Sequence, residues 1–344
     1  MDNSIFFPPE WFRHSAVQLT WPHRETDWRD MLEEATDCFT AIAREIVKRE
    51  RLIIVAPDVE LVKRQLGNRL DVSRIIWREM ITDDTWARDH GGITVFRNGE
   101  PVIYDFGFNG WGGKYPSTND NCITSKLFLS NTFAPKVATT DERTFILEGG
   151  SIETNGKDTI LTTSSCLLSS ARNAHCSKEE IEERLRALFG VRHVLWLEHG
   201  GLAGDDTDGH IDTLARFCGN NCIAYVKCDD ENDEHYDALS RMEDELRAFV
   251  QENGEPFQLY PLPMAEKFVF EGKRLPATYA NFLIMNEAVL MPAYLSPKDK
   301  VAQLALQALF PDREVVSIDC RALIKQHGSL HCVTMQYPWG VVED

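Results

Sequence analysis

Apolar positions recur along this 344-residue chain in two alternating rhythms. From Trp28 to Arg49 they come at helical spacing, with Met31, Leu32, Ala35, Phe39, Ile42, Ile46 and Val47 on one side. Leu52–Val55 is then a short apolar run stopped by Ala56-Pro57, which predicts a strand. Val59–Leu66 predicts a second helix and Arg74–Arg78 a second strand. The same helix-then-strand order returns three times. Ser177–Leu188, opened by Ser177 and Glu180 at capping-box spacing, precedes Val191–Leu197. Glu234–Gln251 precedes Phe257–Tyr260, and Lys298–Leu309 precedes Val315–Ile318. Paired strands fall between these units, as in Ile211–Cys218 and Asn221–Val226 across a Gly219-Asn220 turn.

No linker or composition break interrupts the units, so the pattern predicts an α/β fold in one domain spanning residues 1–344. Composition narrows the partners. The longest apolar runs fall well short of the roughly 18 residues of a membrane helix, and the N-terminus lacks the basic flank and apolar core of a secretory signal. Nine cysteines, an odd number at irregular spacing, argue against a disulfide framework and for a reduced cytoplasm. A net charge of −18 repels nucleic-acid phosphate and suits a small cationic substrate, although solubility alone accounts for it equally well. Oligomeric state is not written in the pattern; a homodimer, the commonest arrangement, stays open.

Five polar sites stand out, roughly one per unit: Asp89, Glu148, His210 with Asp212, Asn281 and Cys332. They are 51 to 71 positions apart, so units set round a pseudo-fivefold axis would bring them to one centre. Cys332 supplies a nucleophile if a base or cation lowers its pKa, but buried cysteines usually just pack. His210 and Asp212, two apart, would share a face if they lie on a strand, pairing an acid/base with a carboxylate; a solvated face is the plain alternative. Glu148 precedes Gly149-Gly150, where missing β-carbons allow close approach. Asp89 has a simpler reading as a surface partner of Arg88, and Asn281 as a core hydrogen-bonding residue. Trp86 and Trp21 are core candidates whose ring faces also suit a cation. The glycines from Gly107 to Gly113 predict a mobile covering loop with Trp111 at its tip. Phosphate-loop, calcium-loop and zinc-finger patterns all break: Lys114 is followed by Tyr115, Asp206-Asp208 lacks its flanking ligands, and Cys218, Cys222 and Cys228 lack a second pair.

In order along the chain, Thr20-Trp21-Pro22-His23-Arg24, Trp86-Ala87-Arg88-Asp89, Glu148-Gly149-Gly150, Thr207-Asp208-Gly209-His210-Ile211-Asp212 and His331-Cys332-Val333-Thr334 resemble the agmatine deiminase/bacterial-type peptidylarginine deiminase family of the pentein guanidine-modifying superfamily. The resemblance covers nearly the whole chain. It implies a five-bladed α/β propeller and hydrolysis of a guanidinium to a ureido group and ammonia, with no metal or other cofactor. It implies that Cys332 attacks the guanidinium carbon and that His210 protonates the leaving ammonia and then activates water. Asp89 and Asp212 would clamp the guanidinium nitrogens, and Glu148 would orient His210. Agmatine would be the substrate, in polyamine metabolism, with Asp206 at its distal amine; free or peptidyl arginine is the alternative. From other classes, a metal-dependent hydrolase ligated by His210, Asp212 and Glu148, or a non-catalytic guanidine binder, stays open. His90 and the run His327-Gly328-Ser329-Leu330 depart from the family pattern and are expected to alter the pocket wall.

Overall fold

The computed structural model describes residues 4–67 and 70–343. Five sheets of three or four strands share one plan: an antiparallel pair, then a helical crossover to a third strand that joins in parallel. Glu100–Gly107 runs antiparallel to Ile93–Arg97 and parallel to Ala138–Ile146. Ile152–Thr154, Thr159–Thr163 and His193–Leu197 repeat the plan. So do Ala215–Gly219, Cys222–Lys227 and Gln258–Pro263, and then Leu283–Ile284, Ala288–Ala293 and Glu314–Asp319. The remaining sheet joins the chain's two ends. Thr334–Pro338 pairs antiparallel with His14–Thr20, which continues in parallel through Arg51–Ala56 to Ile75–Glu79. A two-stranded ribbon, Val269–Phe270 with Lys273–Arg274, stands apart. No helix among the described residues is long and apolar enough to cross a membrane.

The amphipathic rhythm finds its partners as expected. Helix Leu32–Val47 buries Ala35, Phe39, Ile42 and Ile46, one stripe at 3.6-residue spacing, while Glu33, Glu34 and Arg44 stay out of the core. Helices Val59–Leu66 and Lys298–Leu309 occupy the predicted residues. Lys178–Phe189 starts on the predicted capping box, with Ser177 and Glu180 each accepting from the other's backbone N–H, and ends on left-handed Gly190.

One prediction fails where it touches function. His210 and Asp212 are not on a strand: Ile211–Thr213 is a single 3-10 turn, and the strand starts at Ala215. Local side-chain bonds out-compete the sheet there. Thr207 Oγ1 accepts from the His210 N–H, and Thr213 Oγ1 donates to the His210 carbonyl. In every unit the polar residue sits just before the first strand of the antiparallel pair: Asp89 before Ile93, Glu148 before Ile152, Asp212 before Ala215, Asn281 before Leu283 and Cys332 before Thr334.

Candidate active site

These strand starts meet. Cys332, Asp89 and Trp86 line one narrow pocket, together with Asp27, Asp84 and Asp206. Cys332 is held from its chain neighbours. Asn281 Oδ1 accepts from the His331 N–H at 2.9 Å, from the Cys332 N–H at 3.3 Å and from the Cys332 thiol at 3.4 Å. Its Nδ2 donates to the Asp212 carbonyl at 3.3 Å, so Asn281 ties the two turns together from within the core. Gly328 makes the approach of the cysteine segment feasible: a β-carbon there would lie 2.1 Å from the Trp86 ring.

The polar groups around the thiol are buried yet incompletely paired. His210 Nδ1 lies 3.6 Å from Asp89 Oδ1, and neither ring nitrogen has a hydrogen-bond partner. Asp89 Oδ1 accepts from the Gly150 N–H and Oδ2 from Trp111 Nε1. A β-carbon on Gly150 would crowd His210, Asp89 and Asp212 at once, at 2.6, 2.8 and 3.2 Å, so the second glycine is what lets the three converge. Burial pushes the Asp89 carboxyl up to about 6. Burial, then the carboxylates of Asp212 and Asp89, hold the Cys332 thiol well above its ordinary range. For His210, burial opposes the charged ring, but Asp89 and other neighbours outweigh it and raise its pKa well above the usual value. The same buried carboxylates thus favour the protonated form of both the thiol and the imidazole.

Asp212 differs from Asp89. Burial works against its charge, yet a hydrogen bond from His331 Nδ1 at 2.7 Å keeps its pKa low. His331 Nε2 meets Glu10 at 2.6 Å, and Arg216, wholly buried, binds Glu10 and Glu153. Glu148 is held by Arg172 Nε at 2.9 and 3.0 Å, and Arg172 also grips Asp208 and the Thr207 carbonyl, which fixes the loop carrying His210. Glu148 makes no hydrogen bond to His210; the Cys166 thiol stands beside that ring instead.

Of the sequence candidates, Trp21 is placed elsewhere. Its ring is in the core against Phe39, its N–H donates to Gln65, and it lines no part of the pocket. Arg88 is no surface partner of Asp89, being buried with its guanidinium towards Glu10. The Gly110–Gly113 segment lies down on the site, with Trp111 buried on Asp89. His90 and Ser329, though unusual, stay out of the pocket wall; His327 and Gly328 form part of it. Asp206 accepts from the Tyr115 hydroxyl at 2.7 Å. Sequence reasoning missed Asp27, Asp84, Tyr115, Arg172 and the Glu10–Arg216–His331 group. Asp84 stood two residues before Trp86, but nothing in the sequence pointed to Arg172 or Arg216. Asp84 accepts from the indole N–H groups of Trp28 and Trp86, and burial lifts its pKa to about 7.

The sequence model of the Porphyromonas-type peptidyl-arginine deiminase family matches residues 6–338, and the chain belongs to that family. It is 53% identical to a solved Porphyromonas gingivalis protein proposed as an arginine deiminase, with a TM-score of 0.95 over 99% of this chain and 100% of that one. It is 37% identical to a Cys-to-Ser form of C. jejuni agmatine deiminase with substrate bound, with a TM-score of 0.91 over 97% of this chain and 96% of that one. Agmatine deiminase of Stutzerimonas stutzeri is 32% identical over 359 residues, covering 98% of this chain and 96% of the relative.

Proposed function

We infer that this protein is an agmatine deiminase, hydrolysing the guanidinium of agmatine to N-carbamoylputrescine and ammonia. The observation that carries the reading is the Cys332 thiol 3.9 Å from the buried Asp212 carboxylate, in the pocket that buried Asp89 also lines; the charges of both raise its pKa. A planar guanidinium satisfies both carboxylates and reverses the field at the sulfur. Bound substrate thus favours the thiolate it needs. The thiol proton passes to solvent as substrate binds, Cys332 Sγ attacks the central carbon, and His210 gives its own proton to the departing nitrogen, which leaves as ammonia when the C–N bond breaks. Neutral His210 then takes a proton from water, which attacks the covalent thiouronium carbon; the C–S bond breaks and the ureido product leaves. Glu148, pinned by Arg172, contributes negative charge beside His210.

The pocket walls favour agmatine over arginine. Trp86, Trp111 and Tyr115 form aromatic sides, and Asp27, Asp84 and Asp206 stand ready for a distal ammonium. Among the described residues no Lys or Arg lines the cavity to receive an α-carboxylate. Lys114, nearby, is engaged by Asp208 and the Asp206 carbonyl. The 53% identity to a proposed arginine deiminase favours free arginine as the second reading.

The same reading takes the five repeated sheets as blades of a pseudo-fivefold propeller in one catalytic domain over residues 1–344, supported by the five strand starts that converge. A cytoplasmic location fits nine free cysteines, and the acidic surface suits no nucleic-acid partner. A homodimer belongs to the proposal only as the commonest oligomer.

The test is ureido-product and ammonia formation from agmatine, arginine and a peptide with C-terminal arginine. Turnover of agmatine that disappears in Cys332→Ser, by a factor on the order of 10⁶ as for loss of other covalent nucleophiles, is expected. Turnover of arginine instead moves the substrate, and no turnover of any guanidine by folded protein removes the enzymatic reading.

A further inference from the structure

Cys166 has no part in the reaction above, yet it is fully buried beside the group that does most of the proton transfer. Glu148, Cys166 and His210 each place one ligand atom within 4.8 Å of the others, and all three are buried. The set is a carboxylate, a thiol and an imidazole, the mixture that borderline-soft divalent zinc prefers in tetrahedral sites with one position left open. A second observation bears on a missing ligand: His210 is 1% exposed and neither ring nitrogen reaches a well-formed hydrogen bond among the described residues, its nearest polar neighbours being Asp89 Oδ1 at 3.6 Å and the Cys166 thiol. A buried donor left bare in this way is costly, and a metal ion is one of the few partners that matches both sulfur and nitrogen here.

The other comparable cluster makes the contrast. Glu10, Glu153 and His331 also lie within ligand distance of one another, but Arg216 already fills the space between them with positive charge and hydrogen bonds to all three. At Cys166 the guanidinium of Arg172 answers less: it holds Glu148 through Nε and stands near the Cys166 thiol, but it makes no hydrogen bond to Cys166 or His210, and its other nitrogens turn to Asp208 and Thr207. Asp89 adds negative charge at 3.6 Å from His210, so a dication is electrostatically welcome.

The geometry points to an inhibitory zinc site formed by Cys166, His210 and Glu148. Binding converts the Cys166 thiol to thiolate and a protonated His210 to neutral imidazole, releasing both protons to solvent, and occupies the ring lone pair so freed. His210 can then neither give a proton to the leaving amine nor take one from water. The site is regulatory and distinct from the nucleophile, since Cys332 is not a ligand. Its effect on turnover rests on the proposed deiminase reading; the metal binding itself does not.

The test uses Zn²⁺ and spectroscopic Co²⁺ on the full chain, with Cys166→Ser, Cys166→Ala and Cys332→Ser. One Co²⁺ per chain is expected to give a sulfur-to-metal charge-transfer band that persists in Cys332→Ser and disappears in both Cys166 variants. Zinc affinity in those variants is expected to fall more than about 100-fold, beyond the 10–100-fold typical of losing an outer partner. Their turnover of agmatine without metal is expected to stay within about twofold of the parent, while zinc no longer inhibits. If the Cys166 variants do not fold, zinc X-ray absorption of Cys332→Ser still decides, requiring one sulfur at about 2.3 Å with nitrogen and oxygen. A band that depends on Cys332 and survives in Cys166→Ser, or no stoichiometric binding at all, overturns the proposal. A chain that binds metal through Cys166 but turns over no guanidine keeps the site and removes the deiminase reading.

Discussion

Consecutive residues of this chain serve two unlike polar regions. His331 and Arg88 line a rear pocket, while their neighbours Cys332 and Asp89 line the front one. Both regions are buried and crowded with charge. In the rear, the carboxylates of the central cluster share one cation, although Arg88 Nε and Nη2 beside them make no hydrogen bond. Arg216 binds Glu10, Glu153, His331 and the carbonyls of Ala280 and Phe282. In front, His210 has two bare nitrogens, Asp212 one bare oxygen, and the Asp89 carboxyl and Cys332 thiol are pushed up by burial. A settled ion cluster fixes geometry; an unsettled one waits for a cation. The rear region is structural, and the front one is where binding energy can be released.

The largest way to break the contrast is to unsettle the rear. Arg216→Met leaves two buried carboxylates, Glu10 and Glu153, without their shared cation. The expected loss is about 3–5 kcal/mol of stability, read as a lower midpoint in urea unfolding. Arg216→Met with Glu10→Gln and Glu153→Gln should recover part of it, because the stranded charges are gone. If the single variant unfolds at the parent midpoint, the rear cluster does not hold the fold.

Next comes the wall between the regions. Gly328→Ala puts a β-carbon where the Trp86 ring stands, at a separation of 2.1 Å that the ring must yield to. Overpacking of this kind costs about 1–3 kcal/mol. Trp86 also lines the pocket, so KM for agmatine is expected to rise with it. An unchanged KM beside a lower melting temperature would confine Gly328 to packing.

How far these regions could be read in advance follows from the same division. The front was legible because its residues carry unusual chemistry beside glycines: Cys332 after Gly328, Glu148 before Gly149-Gly150, and His210 with Asp212 after Gly209. Their convergence followed from regular spacing, and the helices from 3.6-residue periodicity. The rear was illegible. Glu10 meets Arg216 across 206 positions and His331 across 321, and no local pattern encodes such pairs. Trp21 misled for the same reason: an indole in a motif looks alike whether it faces a substrate or, as here, packs on Phe39. The strand expected at His210 failed because threonine side chains captured its backbone groups, a competition that hydrophobic alternation does not report.

The smallest effect is the most diagnostic of the front region. Asp89 must be ionised to hold a guanidinium, and burial places its pKa at about 6 rather than near 4. Protonation below that value removes one arm of the clamp, so kcat/KM is expected to fall tenfold per pH unit as pH drops through about 6, or about 1.4 kcal/mol per unit. Asp212 does not add a second step in this range, since His331 holds its carboxyl below the usual value. In the proposed complex both carboxylates touch the same cation, yet only Asp89, which lacks a strong partner, has its pKa raised towards neutrality. Glu10→Gln weakens the hold of His331 on Asp212 and should bring a second acidic limb up towards the first, while leaving the Asp89 limb in place. A profile with one limb near 4 in the parent protein would mean that Asp89 is already paired in solution, and the distinction between the two regions would fail at its most sensitive point.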